Sequence, residues 1–398
     1  MKKFFGVFVL IFVVAFGAFV LVTTLNSTES DQPTQTELNL KEKFDSCCDQ
    51  IYPFYASLDE EEKNYYVKLC AGFEDYSETV KLITSDSKSD IKEANEWVNE
   101  NYRYVAYEQP DYFWVDPNSF TLKELSQGKQ YSLSIDIKYN VSEKEAKEKK
   151  KEYDAVVNEI VEGAVSKEYL FDAVLYAYDT ILEKTDYDHS LAEETKTDLI
   201  GFSAYGCLVE GKTVCSGYTL AFTSIMQKLG LTCGAEFDAE AEKEDADGGH
   251  VWNYCKLGSD YYYFDLTWDD TGFDSDELRQ YLDYTHNFFA VTEKELSYTH
   301  ESMKSEPTSP ECTAVGYNYY TYMGYDCGNY SFSKMKTIAE KQRNNDFVVV
   351  KFNTPSERIK AERELFKNEK FYDMFPGVKQ VKYIASASGL QLYLFFDK

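Results

Sequence analysis

Apolar and polar residues alternate along parts of the chain, and their spacing predicts the elements there. From 131 to 139 every second residue is apolar or aromatic, which predicts a half-buried strand. The run from Ser142 to Glu145 that follows reads SEKE, a capping box, and predicts the start of a helix. After Cys215, apolar residues recur at helical spacing, and they predict a second helix beginning near that cysteine.

The last hundred residues show the same two periodicities on a smaller scale. Apolar runs predict strands over 347–352, 379–384 and 390–396, and the segment 356–375 between the first two is predicted to be helical. Helices and strands are thus mixed along the chain without the strand–helix alternation of a parallel sheet. The pattern predicts an α+β protein.

The first residues carry a different pattern. Two lysines precede Phe4, and residues 4–22 are nearly all apolar, which is about the length that crosses a bilayer as a helix. The lysines favour a cytoplasmic N terminus and an exported chain. We predict an uncleaved signal-anchor in residues 1–25; a cleaved signal peptide is the alternative. The protein is then extracytoplasmic, either anchored at the cell surface or secreted.

Changes in pattern suggest the boundaries of further regions. Residues 26–37 are polar and read as a tether, and 38–164 as an N-terminal domain of helices and a hairpin. Residues 165–305 form the domain with the candidate chemistry, and 306–398 form a small α+β C-terminal domain.

Charge and composition remove several classes of function. The 398 residues include 41 Lys and Arg against 69 Asp and Glu, a net charge of -28. Binding to nucleic acid or to anionic lipid needs a basic face, so neither partner is expected. Four histidines and the absence of a CxxC pair give no support for a zinc site, and no cofactor is expected. The nine cysteines of an exported chain could form disulfides, in a pattern that the sequence leaves open.

One motif suggests nucleotide binding. The segment 206–213, GCLVEGKT, matches the phosphate-loop pattern GxxxxGK[ST]. Such a loop follows a buried aliphatic strand, whereas residues 200–205 are IGFSAY. We therefore interpret the segment as a surface turn that leads into a helix.

A second set of residues has the types required for nucleophilic catalysis. Cys215 begins the predicted helix, where amide dipoles stabilise a thiolate. His250 precedes a predicted strand, VWNYCKL, and Asp265 ends the next one, YYYFD. A thiol needs a base, and the base needs a third group to orient it, so these three residues are candidates for a Cys-His-Asp triad.

Three blocks resemble the signatures of the bacterial transglutaminase-like family within the papain-like cysteine peptidase superfamily, and most closely its kyphoscoliosis-peptidase-like branch. The blocks read GKTVCSGYTLAF from 211, HVWN from 250 and FDLTWDD from 264. The resemblance covers about 165–300. It implies a papain/transglutaminase-like core in which the helix with the cysteine packs on an antiparallel sheet with the histidine and aspartate.

The resemblance also assigns roles. Cys215 would be the nucleophile, His250 the general base and acid, and Asp265 the residue that holds the imidazole. The backbone N–H of Cys215 would donate to the oxyanion, and Tyr205 is a candidate for the second donor.

The implied reaction is acyl transfer on a peptide or protein, with hydrolysis and crosslinking to an amine both open. A cell-wall peptide would suit the location. The alternative is a non-catalytic surface binding module on the same fold.

The pairing of the two predicted strands decides whether Asp265 can face His250. Side chains alternate with period two along a strand, so an odd slip would turn the two residues to opposite faces. We predict an even-membered loop of about four residues, with Lys256 paired to Tyr261 around residues 257–260, or of six residues, which would set Asp265 directly opposite His250.

Overall fold

The structure is a computed structural model that describes residues 32–47, 51–191, 199–238, 249–274, 276–301 and 309–396. It divides into two compact units: the first runs to Asn253 and takes in Ser309, and the second holds the other residues from Tyr254 onward. The predicted boundaries at 164/165 and 305/306 do not coincide with this division. The mixture of helices and sheets confirms the predicted α+β class.

The first unit opens with helices and one antiparallel sheet. Its elements up to residue 184 are α1 (Gln35–Cys47), α2 (Pro53–Ser57), α3 (Glu60–Glu74), β1 (Thr79–Ser85), α4 (Lys88–Glu108), β2 (Val115–Gln127), β3 (Gln130–Tyr139), α5 (Glu143–Val165) and α6 (Leu170–Lys184). The strands are ordered β1-β3-β2, and both pairs are antiparallel. Strand β3 confirms the predicted alternation, because Leu133, Ile135 and Ile137 are buried.

The capping box before α5 is confirmed. The Ser142 side chain accepts from the Glu145 amide, and the Glu145 carboxylate accepts from the Ser142 amide at 3.0 Å. The tether prediction is wrong at its C-terminal end, since α1 already begins at Gln35. Thr34 caps that helix, because its hydroxyl accepts from the Glu37 amide at 3.1 Å.

The rest of the first unit surrounds one central helix. Its elements are β4 (Asp186–Tyr187), a 3-10 turn (Leu199–Phe202), a π-helical turn (Gly206–Glu210), β5 (Lys212–Thr213), α7 (Cys215–Lys228) and β6 (Cys233–Phe237). Helix α7 is buried on almost every side. At its C-terminal end the Lys228 ammonium pairs with Asp111, and Ser224 donates to the same carboxylate. The N-terminal helices and α7 therefore form one packed body.

Strand β7 (Val251–Leu257) contains the boundary between the units and lies in a three-stranded sheet of order β6-β7-β8. The second unit continues with β8 (Asp260–Phe264), α8 (Leu266–Asp269), α9 (Thr271–Asp274), α10 (Asp276–Arg279), α11 (Glu293–Leu296), α12 (Tyr319–Met323), β9 (Asp326–Gly328), α13 (Phe332–Lys341), β10 (Phe347–Phe352), α14 (Pro355–Glu362), a π-helical turn (Arg363–Lys367), α15 (Phe371–Met374), β11 (Val381–Ala385) and β12 (Gln391–Phe396).

The C-terminal sheet has the order β11-β12-β10-β9 and buries both of its faces. Val348 and Val350 belong to one apolar cluster, whereas Val349 between them belongs to another. The three predicted strands are confirmed. The single helix predicted over 356–375 is wrong, because Asn368 ends the helical segment and Glu369 has a positive φ of 58°.

No helix within the described ranges is both long and apolar enough to cross a membrane. The predicted anchor in residues 4–22 lies outside those ranges. The eight cysteines that the described ranges contain are thiols rather than disulfides, and of these only Cys47 and Cys215 are partly exposed.

Candidate active site

Cys215 is the first residue of the 14-residue helix α7, as the sequence predicts. Val214 before it is extended, and no side chain caps the helix start. The first backbone N–H groups of a helix have no partner inside it, and they carry the positive end of the helix dipole. The sulfur therefore lies at an uncapped helix start that favours negative charge.

Gly217 lets this helix start approach the preceding segment closely. A Cβ at Gly217 would lie 1.8 Å from Thr213 Oγ1 and 2.9 Å from the carbonyl oxygen of Ser203. The Thr213 hydroxyl is buried and donates to the Gly201 carbonyl at 2.7 Å. The glycine of the VCSGY block is thus required by packing.

The contacts of Thr213 and the turns before it show whether residues 206–213 have the structure of a phosphate loop. A 3-10 turn over Leu199–Phe202 lies before the motif, where a phosphate loop would need a strand, and residues 206–210 of the motif form a π-helical turn. The Thr213 hydroxyl, which would bind the metal of a nucleotide, is used inside the protein. The interpretation as a turn that leads into a helix is therefore the better one.

Two tyrosines lie beside the cysteine. Burial raises the pKa of Tyr107 on α4, and a negative charge on Cys215 raises it further. The same two causes, burial first, raise the pKa of Tyr187 on β4. Both phenols therefore keep their protons at neutral pH.

The residues that follow His250 are tied to α7. Thr219, one helical turn after Cys215, donates from Oγ1 to the Val251 carbonyl at 3.0 Å. Asn253 is buried, and its side-chain Nδ2 donates to the Thr219 carbonyl at 3.1 Å and to Thr223 Oγ1 at 2.9 Å. Because Thr219 and Cys215 lie on the same helix face, these bonds hold the start of β7 along the face that carries the nucleophile.

His250 precedes β7, and its ring stacks with that of Trp252 at 5.6 Å between centroids. The tryptophan is buried and the histidine is partly exposed. The HVWN block therefore has three distinct parts: a histidine at the surface, an aromatic ring behind it, and an asparagine that fastens the strand to α7.

Asp265 lies in the second unit, directly after β8, and is fully buried. It is the N-cap of α8, and its Oδ1 accepts from the Trp268 amide at 3.1 Å. Its Oδ2 lies 2.8 Å from Nε2 of His300. Its own amide donates to the Phe288 carbonyl at 3.2 Å. These bonds fix both carboxylate oxygens.

The other acidic residues of the third block are structural. The buried Asp269 carboxylate accepts from the amides of Asn287 at 2.6 Å and Phe288 at 3.0 Å. Asp270 Oδ1 accepts from the Gly272 amide at 2.7 Å. Asp269 therefore holds Asn287 and Phe288 against α8, and the Phe288 carbonyl in turn accepts from the Asp265 amide.

The β7–β8 turn is even-membered, as predicted, and a two-residue turn closed by Leu257 and Asp260 is compatible with the predicted pairing of Lys256 with Tyr261. β7 ends at Leu257 and β8 begins at Asp260, so only Gly258 and Ser259 lie between them. Gly258 has a φ of +65°, which the first central position of a type II′ turn requires. A glycine at that position allows the tight turn. The association of Asp265 with His250 stays a prediction.

Tyr205, the candidate second oxyanion donor, has its hydroxyl engaged elsewhere. It donates to Glu152 Oε2 at 2.7 Å, and its ring packs 5.0 Å from that of Phe113. A role at the oxyanion would require this bond to break, and it stays a prediction. The amide of Cys215, the other predicted donor, lies at the uncapped start of α7.

The sequence patterns alone assign no role to His300 or Asn253. Asn253 stood inside a recognised block, and its contacts show that it fastens β7. His300 gave a weaker signal: it is one of only four histidines in an acidic chain, and it follows the capped helix α11 by four residues.

Comparison with known proteins agrees with the sequence blocks. The model of the transglutaminase-like superfamily matches residues 154–266, a range that includes Cys215, His250 and Asp265. No curated protein matches the chain. A solved structure described as "Crystal structure of a TGase" is 15% identical, with a TM-score of 0.26, over 42% of this chain and 50% of that one. This chain spans about half the length of that structure's chain.

The family match and the mixture of helices and sheets fit the predicted α+β papain/transglutaminase-like core, with α7 packed beside β6 and β7. Residues 154–266 of the chain match the transglutaminase-like superfamily, so the chain contains a transglutaminase-like domain.

Proposed function

We propose that this protein catalyses cysteine-dependent acyl transfer on peptide or protein substrates. The observation that carries the proposal is the position of Cys215: a partly exposed thiol at the uncapped start of α7, inside the matched family range. Such a position stabilises a thiolate and offers backbone N–H groups to a developing oxyanion.

In the proposed reaction the Cys215 sulfur attacks the carbonyl carbon of a peptide bond or a glutamine carboxamide. His250 accepts the thiol proton and delivers it to the leaving amine, and a thioester remains on Cys215. Asp265 orients the imidazole and stabilises its cationic form. Water then gives hydrolysis, and a primary amine gives a new amide bond.

The acidic surface favours basic peptides and amines over acidic ones, because like charges repel. We propose that the chain acts outside the cytoplasmic membrane, held by residues 4–22. Membrane fractions should then contain the full-length chain. A soluble secreted form that starts near residue 18 or later would instead show a cleaved signal peptide.

The reaction is tested by incubating the purified full-length chain with a panel of glutamine- and lysine-containing peptides and a labelled primary amine. Mass spectrometry distinguishes cleavage, deamidation and amine incorporation. We expect one of these products, and we expect it to vanish in Cys215→Ala. Product formation that survives Cys215→Ala would contradict the proposal, and unchanged peptides would favour a binding module.

A further inference from the structure

His300 lies in the second unit with its ring almost fully buried, and its Nε2 contacts the carboxylate of Asp265. The two side chains are 2% and 1% exposed, and the Nε2–Oδ2 distance is 2.8 Å. A buried carboxylate is costly unless hydrogen bonds satisfy it. The Trp268 amide donates such a bond to Oδ1 of Asp265, and His300 lies within hydrogen-bond distance of Oδ2.

Contacts at both ring nitrogens and with two neighbouring aromatic rings orient the His300 imidazole. Thr299 Oγ1 lies 2.7 Å from Nδ1, so both ring nitrogens have partners. The rings of Trp268 and Phe288 pack at 4.9 and 5.4 Å from the imidazole centroid. In the neutral tautomer with the proton on Nε2, His300 donates to Asp265 and accepts from Thr299; in the cation both nitrogens donate. Asp265 is the acceptor in both forms.

We propose that His300 is a positioning residue for the reaction. It holds Oδ2 of Asp265 while the α8 amide holds Oδ1, so the carboxylate plane is fixed before substrate binds. A carboxylate has about four lone-pair sites, so a carboxylate held by these two bonds can also accept from a catalytic imidazole. The inference rests on the proposed function, in which that imidazole belongs to His250.

A purely structural role predicts something different. If His300 only filled space between Trp268 and Phe288, any side chain of similar volume would serve, and a lost hydrogen bond would affect stability alone. A positioning role requires a donor at the Nε2 position. Glutamine places an amide N–H near that position, asparagine places one near Nδ1, and leucine places none.

The test compares His300→Leu with His300→Gln, and uses His286→Leu as the matched control. His286 is a second histidine of the same unit, and its ring stacks on Tyr319. The first readout is the rate at which iodoacetamide labels Cys215, and the second is kcat and KM on a peptide from the substrate panel. Thermal unfolding is recorded for each variant.

We expect His300→Leu to lower both the labelling rate and kcat by roughly 10- to 100-fold with KM unchanged, the range for a lost hydrogen bond to a charged group. His300→Gln should restore most of both, and His286→Leu should leave both at the wild-type value. If His300→Leu does not fold, His300→Gln against His300→Asn gives the same comparison, with asparagine the impaired variant.

Two results would overturn the positioning role. The first is a wild-type kcat in His300→Leu. The second is a loss of kcat in His300→Gln that equals the loss in His300→Leu or, in the fallback comparison, in His300→Asn. Failure of the proposed function itself is distinguished by Cys215→Ala. If activity persists in Cys215→Ala, the reaction does not use this cysteine. If activity needs Cys215 but is indifferent to His300, only the present inference fails.

Discussion

Two partly exposed cysteines lie at opposite ends of their helices: one at the N-terminal end and the other at the C-terminal end. The two helices have similar lengths. Cys215 is the first residue of α7, and Cys47 is the last residue of the 13-residue helix α1. The positive end of a helix dipole stabilises a thiolate, and the negative end opposes one. Exposure alone would make the two thiols equally reactive, so any difference between them measures what the helix start and the residues around it contribute.

The surroundings of the two cysteines differ as well, and they also favour Cys215 as the reactive thiol. The Cys47 sulfur lies 3.5 Å from the Ser46 hydroxyl, on an exposed stretch of chain. Cys215 begins a helix whose first turn packs closely through Gly217 and whose face is tied to the strand that follows His250. Cys47 is therefore a control that the chain itself provides.

The largest expected effect separates the two residues by activity. Cys215→Ala should lower the turnover of the panel substrate by about 10⁴-fold or more, as loss of a nucleophile does. Cys47→Ala should leave turnover unchanged. Circular dichroism of both variants checks that the fold is intact. A comparable loss of turnover in the two variants would contradict the claim that the cysteine at the helix start has a special role.

Asp265 gives the next largest effect. Asp265→Asn should lower kcat by roughly 10²- to 10⁴-fold, because the amide damages the orientation and the charge that the imidazole needs. Asparagine is also a good N-cap, so Asp265→Asn should retain the cap of α8. Asp265→Ala should lose about 1 kcal/mol more in stability, since it also removes the cap of α8. Steady-state kinetics and thermal melts measure both, and full activity in Asp265→Asn would exclude the residue from the triad.

Gly217 tests the packing of the helix start. Gly217→Ala should lower the free energy of unfolding by about 1–3 kcal/mol, because the added Cβ collides with Thr213 Oγ1 and nearby backbone. Gly316→Ala is the control, since its nearest contact would be an ordinary 3.7 Å from the Tyr262 hydroxyl. Urea unfolding of the two variants gives the comparison. Equal stabilities would mean that the helix start can shift freely.

Sequence patterns predict most strongly where one face of an element is buried or where a block of residues is distinctive. Strand β3, the capping box before α5 and the start of α7 at Cys215 were predictable for those reasons. The break at Glu369 was not, because a positive φ in a residue other than glycine is set by tertiary packing rather than by local preference.

The site shows the same limit. Cys215, His250 and Asp265 lie inside distinctive blocks. The bond from His300 to Asp265 joins residues 35 positions apart, and His300 lies outside the three blocks. A single histidine near a short helix predicts no partner by itself, and its role becomes visible only when the chain is folded.

The most direct test of the account is the labelling of the two cysteines by iodoacetamide at neutral pH. In a Cys48→Ser background, trypsin releases Cys47 on residues 44–63 and Cys215 on residues 213–228, so each peptide reports one thiol. We predict that Cys215 is labelled roughly tenfold faster or more, since the thiolate is the nucleophile, and that His250→Ala removes most of the difference. Equal labelling of Cys47 and Cys215 in the wild-type site would contradict the claim that Cys215 is an activated nucleophile.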